Sequence, residues 1–203
     1  MSKLPIGVDI NYLIDDLRTF SWNASDILLH YSSILKNNDS NIDILKNINI
    51  NDPVTIADLN VNNMIIESIQ EKYKEIDWGI LSEENAKDSL NTIYINSDWI
   101  WVLDPLDGTK DFIQGTENYA MHLALNFKKQ PYLGIVLIPE KNELWLSNNE
   151  NVWCENRNGE YKKTNLSKKH NLNDMTIVTS KNHRNQTLKN LIEKIKFKEV
   201  MVM

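Results

Sequence analysis

The chain has 203 residues, a formal net charge of −6 and 41% hydrophobic residues, enough for one large domain or for one domain and part of another. The acidic balance excludes nucleic acid as a bulk partner, since phosphate backbones are held by clustered Lys and Arg, but it admits a small anion whose charge a metal neutralises locally. A single cysteine, Cys154, excludes an internal disulfide and fits a reducing, cytoplasmic setting; no apolar run approaches the ~18 residues of a membrane span, and residues 1–6 lack a signal-peptide core.

Across residues 11–35 the apolar side chains Leu13, Leu17, Phe20, Ala24, Leu28, Tyr31 and Leu35 recur at three- and four-residue steps, which predicts one long amphipathic helix. Residues 37–51 are polar with scattered Ile and read as a loop or irregular hairpin, and Pro53 makes residues 53–55 extended. A second helix starts near Asp58 and carries Val61, Ile65 and Ile69 on one face to about Tyr73. A strand at residues 78–81 delivers Ser82, Glu83 and Glu84, and residues 85–96 read as a loop with an apolar patch at 93–95.

A short apolar strand, residues 99–103, then breaks at a rigid acidic turn, Asp104-Pro105-Leu106-Asp107-Gly108-Thr109. Pro105 presets the backbone there, and Gly108 allows either sign of φ. Two carboxylates three residues apart at a strand end repel each other unless a cation lies between them. The economical reading is a hard divalent ion on Asp104, Asp107 and the Leu106 carbonyl, because oxygen donors suit Mg²⁺. The amides of Gly108, Thr109 and Lys110 can open a helix and seat a phosphate oxygen. Metal beside phosphate suggests metal-assisted phosphate hydrolysis. The plainer alternatives are a β-turn, a solvated acidic pair at Glu83 and Glu84, and simple helix caps at Asp58 and Thr109.

Residues 120–127, 132–138, 144–147, 152–154 and 160–163 read as an antiparallel meander, with turns at Asn148-Asn149 and Asn158-Gly159. A strand at 176–180 and a helix carrying Leu188, Leu191, Ile192 and Ile195 follow. His30, His122, His170 and His183 lack metal-ligand spacing and read as structural or surface groups, and Cys154 reads as a packed core thiol.

Taken in order, Pro53-Val54-Thr55-x-Ala57-Asp58, Ser82-Glu83-Glu84 and Asp104-Pro105-Leu106-Asp107-Gly108-Thr109-Lys110-Asp111-Phe112 resemble the motifs of the Mg²⁺-dependent, lithium-sensitive phosphatases of the inositol monophosphatase superfamily. Ser-Glu-Glu and the Lys after Gly-Thr look most like its bacterial 3′(2′),5′-bisphosphate nucleotidases, with Asp111 in place of their usual Glu. The resemblance implies a layered α/β fold, N-terminal helices packed on a largely antiparallel sheet. It implies that residues 1–203 form the N-terminal metal-binding domain, with about 176–203 opening a second domain. The family continues with a Gly-Ser-Ser-like stretch and a Trp-Asp-x-Ala-Ala motif whose Asp binds metal. No Trp-Asp pair occurs here, so the expectation is a chain truncated at its C-terminus.

By the same resemblance Glu83, Asp104 and the Leu106 carbonyl hold a first Mg²⁺, and Asp104 and Asp107 share a second with the missing Asp. Glu83 and Thr109 position the attacking water, Asp58 takes the Thr109 hydroxyl proton, and the substrate phosphate lies on the Gly108 and Thr109 amides beside Glu83, Leu106 and Asp107. The implied reaction is removal of the 3′-phosphate of adenosine 3′,5′-bisphosphate, in sulfur assimilation. The alternatives are an inositol monophosphatase or other sugar phosphatase, and an inactive metal-binding remnant. A homo-oligomer is left open. Haloacid-dehalogenase chemistry requires Asp-x-Asp rather than Asp104-x-x-Asp107, and an EF-hand requires ligands at alternate positions.

Overall fold

The computed structural model describes residues 4–37, 45–47, 54–88, 97–148, 150–164, 167–180 and 185–202. They fall into two compact units, Met1–Thr164 and Asn165–Met203. His183, the 93–95 patch and most of the predicted loops at 37–51 and 85–96 lie outside the described residues.

In the first unit, helix α1 (Ile10–Lys36) begins where the Asp9 carboxylate accepts the N–H groups of Asn11 and Tyr12, satisfying two first-turn donors. Its stripe buries Leu13, Leu17, Ala24 and Leu28 completely, while Phe20, Tyr31 and Leu35 pack at the margin. Strand β1 (Leu45–Asn47), inside the segment read as a loop or irregular hairpin, pairs antiparallel with β2 (Val54–Thr55), which falls in the stretch read as extended. Helix α2 (Ile56–Lys72) lies against α1 and buries Ala57, Val61, Ile65 and Ile69.

The sheet has seven strands in the order β3-β4-β5-β6-β7-β8-β9. They are β3 (Gly79–Ser82), β4 (Trp99–Asp107), β5 (Ala120–Phe127), β6 (Gln130–Ile138), β7 (Glu143–Asn148), β8 (Val152–Glu155) and β9 (Tyr161–Lys163). Only β3 and β4 pair in parallel; every later neighbour is antiparallel. Alternation places Trp101, Leu103, Leu123, Leu125, Ile135 and Leu137 in one cluster with the helices. At about 1.5–3 kcal/mol for each fully buried aliphatic side chain, that cluster, more than helix propensity, holds α1 and α2 in place.

β6 starts two residues before its predicted position. The connection from β5 is a tight turn at Lys128 and Lys129, both in the left-handed region (φ 49° and 67°), with no Gly or Asn to announce it. At the far side of the sheet the Arg18 guanidinium grips Glu155 with two bonds, Nε to Oε1 at 2.6 Å and a terminal nitrogen to Oε2 at 3.1 Å. Glu155 is buried and also accepts the Trp153 indole N–H.

The second unit is a β-α-β arrangement: β10 (Thr176–Thr179), α5 (Gln186–Ile195) and β11 (Glu199–Val202), the two strands parallel. Residues 199–202 carried no strand expectation, because three apolar residues are too few to show a period. Among the described residues no helix is long and apolar enough to cross a membrane.

The acidic stretch departs from its predicted form. β4 does not end at Leu103 but continues to Asp107. The turn is replaced by a bulge: Asp104 faces His122 and Asp107 faces Ala120, so three steps on β4 match two on β5. Pro105 sits inside the bulge, where a missing N–H breaks no ladder bond. Directly after it, Gly108 (φ 88°) caps helix α4 (Thr109–Ile113), and a Cβ there would meet the Asn118 carbonyl oxygen at 2.6 Å. Gly108→Ala is therefore expected to lose about 2 kcal/mol or more, from left-handed strain plus a backbone clash. An unchanged urea midpoint would show that neither constraint operates.

Candidate active site

Asp58 is the third residue of α2 and almost fully buried. Its Oδ2 accepts the Thr55 amide at 2.8 Å and the Thr55 hydroxyl, while its own amide donates to Thr55 Oγ1 at 3.3 Å. That is a complete capping box. The other oxygen, Oδ1, lies 3.4 Å from Thr109 Oγ1. The two sequence readings of Asp58, cap and site residue, are thus compatible, one per oxygen. Burial pushes the Asp58 carboxyl up, the Thr55 hydrogen bonds pull it down, and the Glu83 charge pushes it up further.

Glu83 opens the short helix α3 (Glu83–Asp88), whose start is capped by Ser82 Oγ accepting the Asn85 amide at 3.1 Å. Because β3 runs parallel to β4 with Ser82 level with Leu103, Glu83 arrives beside Asp104. The two carboxyls are hydrogen-bonded, and Asp104 is pushed up to about 7, first by burial, then by Glu83 and Asp107. Only the Leu106 amide, donating to Asp104 Oδ1 at 3.2 Å, opposes this. The Leu106 carbonyl accepts the Thr109 hydroxyl at 3.0 Å and keeps a second lone pair.

A regular strand would send Asp104 and Asp107 to opposite faces, since three is odd. The bulge shifts the phase by one, so Leu106 is buried, Asp107 is exposed, and His122 lies near both acids: opposite Asp104 in register, with Nε2 3.9 Å from Asp107 Oδ2. Glu83, Asp104 and His122 line one cavity of about 710 Å³, walled also by Val102, Val136 and Trp145. His122, read from sequence as structural or surface, is partly exposed and lies beside the acids, a neighbourhood that reading did not foresee. Only the β4–β5 register reveals it, and spacing along the chain does not encode that register.

The remaining residues sort plainly. Glu84, expected to be solvated or supporting, is buried. Asp111 Oδ1 accepts the Thr116 hydroxyl at 2.7 Å and closes the loop after α4. Lys110 is exposed, as is His170, while His30 stacks edge-on against Tyr31. Cys154 is buried as expected, and burial raises its thiol pKa.

Among the described residues no three His, Cys, Asp or Glu side chains enclose an ion as they stand. Glu83 and Asp104 instead hydrogen-bond each other, and nearly every influence on Asp104 favours a proton. A half-buried, oxygen-only donor set that retains a proton in this way suits a hard cation, which would take the proton's place. The donors present fit magnesium.

A family model described as the inositol monophosphatase family matches residues 13–201. A Buchnera aphidicola protein named 3′(2′),5′-bisphosphate nucleotidase CysQ is 33% identical over 146 residues, covering 72% of this chain and 52% of that protein. Its Shigella flexneri namesake is 27% identical over 71% of this chain and 56% of its own length. The chain spans about half the length of the curated relatives it matches. Among solved structures, the extragenic suppressor protein suhB of Bartonella henselae superposes with a TM-score of 0.71 at 19% identity, over 94% of this chain and 70% of that one. Inositol monophosphatase II of Staphylococcus aureus gives 0.70 at 20% identity, over 94% and 65%. The match over nearly the whole chain and the shared layered fold lead to one conclusion: this chain belongs to the inositol monophosphatase family.

Proposed function

We propose that this chain supplies the metal-binding side of a magnesium-dependent phosphatase that removes the 3′-phosphate of adenosine 3′,5′-bisphosphate, serving sulfur assimilation. The observation that carries the reading is the grouping of Glu83 and Asp104 in one cavity, with Asp107 beside them and the Thr109 hydroxyl tied to Asp58. In this reading residues 1–203 form the metal-binding domain, with about 176–203 opening a second one; the site residues all lie in the unit Met1–Thr164.

Glu83, Asp104, Asp107 and the Leu106 carbonyl would hold the metal. Bound there, magnesium would offset the phosphate charge and acidify a water molecule. With the Leu106 carbonyl so engaged, the Thr109 hydroxyl keeps Asp58 as its acceptor, and its own oxygen faces the water as a base. Glu83 holds that water from the other side. The amides of Gly108 and Thr109, in the open first turn of α4, would bind the phosphate oxygens. The water oxygen would bond to phosphorus as the P–O bond to the ribose 3′ oxygen breaks, one water proton passing to Thr109 as its own goes to Asp58 and a solvent proton reaching the 3′ oxygen, giving AMP and phosphate. The names of the Buchnera and Shigella relatives support the nucleotide; the staphylococcal neighbour's name supports inositol phosphate as the second reading.

Phosphate release decides between them. With Mg²⁺, the chain, alone or joined to the remaining length of the Buchnera relative, should hydrolyse adenosine 3′,5′-bisphosphate faster than inositol 1-phosphate, and Li⁺ should inhibit. Preference for the inositol ester establishes the second reading; silence of both forms with both substrates overturns the phosphatase.

Stability gives an independent check. The folded chain holds a proton on Asp104 up to about pH 7 that the unfolded chain releases near 3.8. More protons are bound when folded across that window, so the metal-free chain should lose stability as pH rises through it. At pH 8, magnesium at about 100 times its Kd should restore about 2.7 kcal/mol. Asp104→Asn should melt evenly across the window, at least as high as wild type at pH 8, without responding to magnesium. A mutant that melts well below the metal-free wild type at pH 8 would make Asp104 a structural residue instead.

A further inference from the structure

We propose that His122 is the positioning residue that orients Asp107 toward the cation, an inference that rests on the metal reading above. Strand β5 presents His122 directly opposite Asp104, and the bulge brings the Asp107 carboxylate back toward the same ring. The His122 Nε2 to Asp107 Oδ2 separation is 3.9 Å, an ion-pair distance beyond hydrogen-bond length that rotation of the exposed Asp107 side chain would have to shorten. Asp107 is largely exposed, and among the described residues His122 is the one basic side chain within ion-pair distance of it. A carboxylate without such a partner turns freely, and ordering it on metal binding costs entropy. A donor fixed on one oxygen leaves the other aimed at the ion. Ligating carboxylates commonly carry an outer partner of this kind, whose loss weakens metal affinity about 10–100-fold. The role requires only a proton on Nε2, which the neutral ring can supply. It also accounts for a polar ring beside Val102, Ala124 and Val136 on the wall of the cavity that Glu83 and Asp104 line.

Magnesium titration by calorimetry tests this on the intact chain, comparing wild type with His122→Ala, His122→Gln and Asp104→Asn. The expected result is a Kd about 10–100-fold weaker for His122→Ala. His122→Gln, whose amide nitrogen falls near the ring Nε2 position, should bind close to wild type. In the phosphatase assay the His122→Ala defect should then appear as a higher magnesium requirement, with kcat recovered at saturating metal. Wild-type affinity in His122→Ala overturns the proposal while leaving the metal site standing, and so does a Gln variant as weak as the Ala variant. If wild type and Asp104→Asn alike bind no magnesium, the metal reading fails and His122 falls with it.

Discussion

Asp58 has two carboxylate oxygens, and the arrangement of the site depends on their facing different ways. Oδ2 is consumed by the Thr55 cap, which starts α2. Oδ1 is left facing Thr109, 51 positions later, at the start of α4. One buried acid thereby sets the distance between a helix of the outer layer and the loop that leaves β4. Because the cap fixes the side chain from one side, Thr109 meets an acceptor already in position, with no rotamer entropy to lose on contact. The same burial that makes the group expensive to ionise makes it rigid.

Parity is the second constraint. Asp104 and Asp107 differ by an odd number, so an unbroken strand would divide them between the helix-packed face and the outer face. The bulge restores agreement and at the same time returns Leu106 to the core, where it is fully buried. Pro105 fits that irregularity because it has no N–H to leave unpaired. The acidic pair, its buried spacer and its proline are thus one device, and altering any member disturbs the phase of the rest.

These particulars explain what could be read in advance. The 11–35 and 58–73 helices were legible because a 3.6-residue stripe has local period, and the meander because period two does. Asp58, Glu83, Asp104 and Thr109 were legible as an ordered set, and the structure brings them to neighbouring element ends. The shape of the acidic stretch was misread, because Pro and Gly signal a turn and a bulge alike. His122 and the Arg18–Glu155 contact stayed hidden because each depends on strand register or on chain return, neither of which leaves a trace in neighbouring residues. The Lys128-Lys129 turn was hidden for the opposite reason: its conformation is local, but its residues are ones that seldom adopt it.

Arg18 and Glu155 are 137 positions apart, joining the first helix to the eighth strand. Between them lie α2 and nearly the whole meander, whose hairpins each close through short loops. Closing one long loop directly would cost more entropy than closing the hairpins one after another, which shortens the effective chain at each step. On that order of closure the clamp forms after the hairpins it spans. Contacts formed late slow unfolding more than they speed folding. Buried on the Glu155 side and partly open to water at Arg18, this pair is a latch that ties the first helix to the finished layer.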